Sequence, residues 1–154
     1  MYSGESDPEY YKSFQDSPFV YFGGTIPYEQ VQEKMASSDI TVIVEGFKKE
    51  DINCSRYSLS TKAADALASG ATILTYGSAE CGIVEYMMST NASFVCTEKS
   101  ELKNVIRVIL DSPNLQKQYY DQQIIVTNEH HNLVKSCAIF EEIVYRAIKN
   151  YLDA

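Results

Sequence analysis

Every position of Ile40-Thr41-Val42-Ile43-Val44 is β-branched, and no other feature restricts the fold of this chain as strongly. Side chains that are stiff at χ1 favour extended backbone, and a run without polar alternation suits a central strand covered on both faces. Further strands are expected at Thr72–Tyr76 and Ser93–Cys96. An earlier one is expected at Phe19-Val20-Tyr21-Phe22, ended by Gly23-Gly24. Stretches of helical spacing lie between them. Pro27 sits in the first turn of a helix carrying Val31, Met35 and Ala36, which Ser38-Asp39 breaks. A second helix opens near Ser60 and stops at Gly70, with Ala64, Leu67 and Ala68 as its narrow apolar face. A third spans Glu80 to Met88 with Ile83, Val84 and Met87 on one side. Strands alternating with helices of about ten residues predict βαβ units, hence an α/β fold with a parallel sheet.

Three helices are expected to close the chain, over Ser100–Leu110, Asn114–Val126 and Asn128–Leu152. The last carries Leu133, Cys137, Phe140, Ile143, Val144, Ala147, Ile148 and Tyr151 along one stripe. The segment from Glu45 to Tyr57 reads as a polar loop, and the tyrosine-rich opening as a turn leading to a short helix around Glu9–Phe14. At 154 residues the chain is long enough for one domain that buries roughly 70% of its unfolded surface. No apolar run approaches the ~20 residues of a bilayer span, and no secretory opening is visible, so a cytoplasmic location is expected. A net charge of −8 argues against a nucleic-acid surface, which needs a stripe of Lys and Arg. Cys54, Cys81, Cys96 and Cys137 form no CxxC pair and lie near no histidine at ligand spacing. They read as reduced, small apolar residues rather than metal ligands.

An acidic chain that binds an anion must hold it locally, and the donors for this cluster in one place. Ser60 and Thr61 offer a hydroxyl cap, the helix start offers free N–H groups at the positive end of its dipole, and Lys62 adds a point charge. In a parallel α/β sheet such a start lies beside the carboxyl ends of the strands, where nucleotides bind. The plainer alternative is a capped helix with a solvated lysine. Asp65 shares a face with Lys62 and suits vicinal ribose hydroxyls; alternatively it pairs with Lys62, worth about 0.2–0.5 kcal/mol. Glu45-Gly46-Phe47 follows the β-branched run directly, placing a carboxylate and a permissive glycine where sugar hydroxyls would lie, or simply making a turn. Gly23-Gly24-Thr25 has the same two readings. Gly77 to Gly82 opens another helix whose amides could face a phosphate. His130 and His131, being adjacent, are expected to point to different sides of a helix, so that a shared metal is not expected. No DxD triplet or His/Asp cluster points to a metal either.

These residues, in this order, resemble the C-terminal, donor-binding half of GT-B glycosyltransferases of the group 1, family 4-like type that uses nucleoside-diphosphate sugars in bacterial polysaccharide (capsule or cell-envelope) synthesis. The likeness rests on the run from Phe19 through Gly23-Gly24 and Pro27-Tyr28-Glu29 to Val31, on Ala36 to Val42, and on Ser60 to Leu74. It implies a Rossmann-like parallel sheet with helices on both faces, filling 1–154 as one donor domain, with the N-terminal acceptor domain absent and the chain partial. It also implies that the last helix packs toward that missing half. By the resemblance, Ser60, Thr61 and Lys62 hold the diphosphate, Asp65 the ribose, and Glu45, Gly46 and Phe47 face the transferred sugar, with Gly23 and Gly24 lining the donor. Glu45 and Lys62 become the catalytic pair. Many members carry two glutamates with seven residues between them; here the second position is Asn53. The partners implied are a nucleoside-diphosphate sugar and a glycan or lipid-linked acceptor, with no cofactor, no nucleic acid and no membrane span. Peripheral association of the whole enzyme with the inner face of a membrane is compatible with this. The readings from other classes are a noncatalytic Rossmann-like protein-interaction domain with an acidic, tyrosine-rich surface, and another sugar-nucleotide enzyme such as an epimerase. No GxGxxG follows a first strand, which disfavours a dinucleotide dehydrogenase.

Overall fold

The computed structural model describes residues 17–21 and 26–153. Three strands, β1 (Ile40–Val44), β2 (Thr72–Tyr76) and β3 (Phe94–Cys96), form a parallel sheet in that order, with Val42 opposite Leu74 and Leu74 opposite Phe94. Among the described residues seven α-helices accompany them: α1 (Val31–Ala36), α2 (Lys49–Ser55), α3 (Lys62–Ser69), α4 (Gly82–Thr90), α5 (Leu102–Asp111), α6 (Pro113–His130) and α7 (Leu133–Leu152). The fold is α/β, as the alternation predicts, and among the described residues no helix is long and apolar enough to cross a membrane.

Alternation along the strands sends side chains into two cores. Ile43 and Ile73 point to one face, where Ala63, Ala66 and Leu67 of α3, Ile83, Val84 and Met87 of α4 and Val126 of α6 cover them. The two alanines are fully buried, so α3 lies close against the sheet. Leu74, Phe94 and Cys96 point to the other face, under Leu102, Val105, Ile106 and Ile109 of α5, and the Phe94 ring meets Tyr119 of α6 at 4.4 Å between centroids. Some polar groups in the interior are paired, while Thr41 Oγ1, Gln123 Oε1 and Thr127 Oγ1 are buried without a partner among the described residues. Thr75 and Ser93 share a buried hydroxyl hydrogen bond of 2.9 Å, and the Gln123 amide donates to the Ala92 carbonyl at 3.0 Å.

Several expectations need correction. β2, not β1, is the central strand: among the described residues β1 lies at the sheet edge, with Val42 and Val44 more than half exposed. A β-branched run reports a preference for extended backbone but not the number of neighbours it acquires. The strand expected over 19–22 is a turn at Pro18-Phe19 in its described part; Phe22, Gly23, Gly24 and the helix expected around Glu9–Phe14 lie outside the described residues. The polar loop after β1 contains a helix, α2. The buried stripe of α3 is Ala63-Ala66-Leu67 rather than Ala64-Leu67-Ala68, because the helix starts at Lys62 and faces the sheet one residue earlier. Gly70 ends α3 in the left-handed conformation at φ 76°, as its position predicts.

The two histidines also behave differently from expectation. His130 ends α6 but His131 has left the helix, so their rings converge on one phenol, with Tyr86 Oη 3.0 Å from His130 Nδ1 and 2.8 Å from His131 Nε2. Burial and the neighbouring His130 charge hold the His131 imidazole below its usual value of 6.5. The unfolded chain therefore takes up that proton first as the pH falls, and native stability is lost on acidification through the folded value. Urea midpoints are expected to fall between pH 7.5 and 5, and His131→Asn should remove part of that fall. An unaltered pH dependence in the variant would exclude His131 as a contributor.

Candidate functional site

The carboxyl ends of β1 and β2 are drawn together by backbone bonds: Glu45 N–H donates to the Tyr76 carbonyl at 2.8 Å and Ser78 N–H to the Gly46 carbonyl at 3.4 Å. Close approach here requires glycine. A Cβ on Gly77 would stand 2.7 Å from Glu45 Cβ and 3.2 Å from its backbone nitrogen. Glu45 consequently leaves β1 at a defined level, beside the start of α3. Two depressions meet there and share Val44, Glu45 and Ser60 as a common wall. An open groove of about 880 Å³ runs past Asp51, Ser58 and Thr61, and a more enclosed cleft of about 260 Å³ reaches Lys62, Met35 and Thr41. The larger lies within the ordinary size of ligand sites.

The α3 start is chemically open. Ser60 and Thr61 are placed to cap it, but the Thr61 side chain makes no capping hydrogen bond; the Ala63 amide is taken by the Ser60 carbonyl at 3.0 Å. The first-turn amides therefore keep their partial positive charge without a side-chain acceptor of their own, and Lys62 stands exposed beside them. In the cleft, the hydroxyl of Thr41 is buried and has no hydrogen-bond partner. The same depressions are also lined by two acidic residues, Glu45 and Asp51. A positive helix tip and acidic residues lining one site can hold a ligand that is anionic at one end and hydroxylated at the other.

Not all the predicted residues join this site. Glu45, Gly46, Ser60, Thr61 and Lys62 line the two depressions. Asp65 lines neither; it sits half-buried and accepts the Tyr28 hydroxyl on Oδ1 at 3.1 Å. That bond, and then the carboxylate charge, raise the phenol of Tyr28 above its usual value of 10.0. Phe47 packs its ring against Tyr76, 5.0 Å between centroids, and does not line the groove. Gly23 and Gly24 lie outside the described residues.

Gly46 has a packing reason that sequence reading missed: a Cβ there would fall 2.2 Å from Asp51 Cβ. The glycine accommodates α2, whose Asp51 also accepts the Lys48 N–H at 3.4 Å. The start of α4 is similarly filled. A Cβ on Gly82 would meet the carbonyls of Arg56 and Ser58 at 2.8 and 2.9 Å, and an Arg56–Glu80 ion pair ties the same segments together. Of the amides after Gly77, those of Ser78 and Cys81 are taken by the Gly46 and Ser78 carbonyls and that of Glu80 by the Ser78 hydroxyl. Asp51, Cys54 and Ser55 join the groove from α2. The available signal was Glu50-Asp51 after Lys48-Lys49, an acidic first turn typical of a helix start.

A separate cavity of about 380 Å³ lies at the amino end of β2, between Thr72, Gln116 and Gln123. It is on the wrong side of the sheet for the strand-end chemistry above, and Thr72 and Gln116 already bond each other across it at 3.3 Å. Among the described residues no group of three or more His, Cys, Asp or Glu side chains could hold a metal ion. Comparison with protein-family models, with curated proteins and with solved structures finds no match to this chain.

Proposed function

We propose that the chain is the donor-binding domain of a GT-B glycosyltransferase, with a Rossmann-like sheet, that holds a nucleoside-diphosphate sugar for transfer to a glycan or lipid-linked acceptor. The observation that carries this reading is the meeting of Glu45 and Lys62 in one cleft, under the uncapped start of α3 and at the carboxyl end of a parallel strand. The diphosphate would lie against the α3 amides and Lys62, whose charge balances the negative charge that grows on the departing diphosphate. Glu45, on the shared wall, would accept hydrogen bonds from the sugar and fix its orientation. Asp65 could reach ribose hydroxyls only with the carboxylate oxygen that Tyr28 leaves free, or by displacing that phenol.

Calorimetric titration with uridine, guanosine and adenosine diphosphates tests the reading. One base is expected to bind, and Lys62→Ala should weaken it at least tenfold, equivalent to ~1.4 kcal/mol. An unchanged affinity would remove the phosphate role of Lys62. Absence of binding to all three would favour a noncatalytic interaction domain, a reading supported by the long helix α7, none of whose residues is buried.

A further inference from the structure

Helix α7 is out of keeping with the rest of the molecule. Its 20 residues extend about 30 Å, every one of them is exposed, and no other element packs along it among the described residues. It is nevertheless a well-formed helix, opened by Asn132, whose side-chain oxygen accepts the Lys135 amide at 3.0 Å. Phe140 is 68% exposed and Tyr151 83%. Polar surface helices do not look like this.

One series of its apolar residues fits a seam between two helices, while Val134, Ile139, Tyr145 and Leu152, also exposed, lie outside that series. Leu133, Cys137, Phe140, Val144, Ala147 and Tyr151 are separated by four, three, four, three and four residues, the heptad pattern of a seam between two helices. Antiparallel pairing with a second copy brings this seam into register throughout. Leu133 of one copy then lies opposite Tyr151 of the other, Cys137 opposite Ala147, and Phe140 opposite Val144, and the two-fold axis repeats each layer. Small faces small in one layer and larger faces intermediate in the others. Parallel pairing would instead stack Phe140 on Phe140 and Ala147 on Ala147, giving one crowded layer and one void.

Charge points the same way. From Leu133 to Asp153 the positive residues Lys135, Arg146 and Lys149 balance Glu141, Glu142 and Asp153, so the whole net charge of −8 is carried elsewhere. Two copies of an acidic chain therefore meet less charge repulsion along this neutral helix. With the flanking Ile143 and Ile148, 58% and 54% exposed, the seam offers roughly 700 Å² per copy, about 1,400 Å² in all, within the range of specific interfaces. The one unfavourable approach is Glu141 to Glu141, beside the seam near the axis.

We propose that α7 is a homodimerisation helix, pairing antiparallel with α7 of a second copy through Leu133, Cys137, Phe140, Val144, Ala147 and Tyr151, rather than the helix that the resemblance packs toward an acceptor half of the same enzyme. Sedimentation velocity on the whole chain is expected to give a monomer–dimer equilibrium with a Kd of ~10 µM. Phe140→Glu should abolish the dimer while leaving the urea midpoint of the body unchanged, because α7 contributes no buried residue. Glu141→Gln should tighten the dimer several-fold by removing the like-charge approach. Orientation is read by oxidation with diamide, which takes up the two electrons and two protons released as a disulfide forms. Ala147→Cys should yield a covalent dimer through the native Cys137 of the opposite chain. The unsubstituted chain should not cross-link through Cys137, since ten residues of helix, about 15 Å, separate the two native thiols along the axis. A chain that stays monomeric to about 200 µM, including one that binds lipid vesicles or another protein through α7 instead, overturns the proposal. So does a dimer that survives Phe140→Glu, or one that cross-links readily through Cys137 alone.

Discussion

Ile73→Ala is expected to lower the folding free energy by about 3–5 kcal/mol and the thermal midpoint by roughly 10 °C. Ile73 is fully buried in the central strand, the one strand hydrogen-bonded on both sides among the described residues. Its side chain meets the face formed by α3, α4 and α6, and its neighbours Ile83, Val84 and Met87 are themselves completely enclosed. Removing three carbons there forfeits transfer free energy and leaves a void that a sheet pinned on both edges closes poorly. By contrast, Val44→Ala on the edge strand, where the side chain is 64% exposed, should cost less than about 1 kcal/mol. Urea unfolding of the two variants side by side decides it. Similar losses from both would mean that β1 and β2 do not differ in enclosure as described.

Gly77→Ala should be the most damaging change at the strand ends, at about 2–4 kcal/mol. The added methyl would stand 2.7 Å from Glu45 Cβ and within 3.2 Å of its backbone, so that either the Glu45–Tyr76 bond or the turn after β2 must open. Its second effect is on the site. Glu45 is the shared wall of both depressions, and moving it changes the groove without altering any polar group that lines it. If the proposed donor site is correct, Gly77→Ala should therefore weaken nucleoside-diphosphate sugars more than the free diphosphates, which do not need Glu45. Gly70→Ala is the control: its φ of 76° makes alanine costly by about 1 kcal/mol, but it lies at the far end of α3. A Gly77→Ala variant with wild-type stability would contradict the close approach of β1 and β2 beyond their last residues.

Much of the scaffold was readable from local pattern. The strand at Thr72–Tyr76 has the predicted limits, Gly70 stops the helix before it, and Leu102, Val105, Ile106 and Ile109 mark α5 by spacing alone. Where one contact outweighs the pattern, reading failed. α2 has a single half-buried apolar residue, Ile52, and is seated by Asp51 against Gly46, a contact that no periodicity announces. The same holds for the groove: Ser60, Thr61 and Lys62 are recognisable as a helix start, but Asp51 and Ser55 join them only because α2 folds back over the strand end.

Residue order by itself determined the alternation of strands and helices, because β-branching, capping glycines and apolar spacing act within a few residues of chain. Only the tertiary structure decided that β1 stands at the edge of the described sheet, that Asp65 is engaged by Tyr28, and that His130 and His131 meet on Tyr86. Each depends on which surfaces come together across tens of residues, and local propensity does not encode that choice.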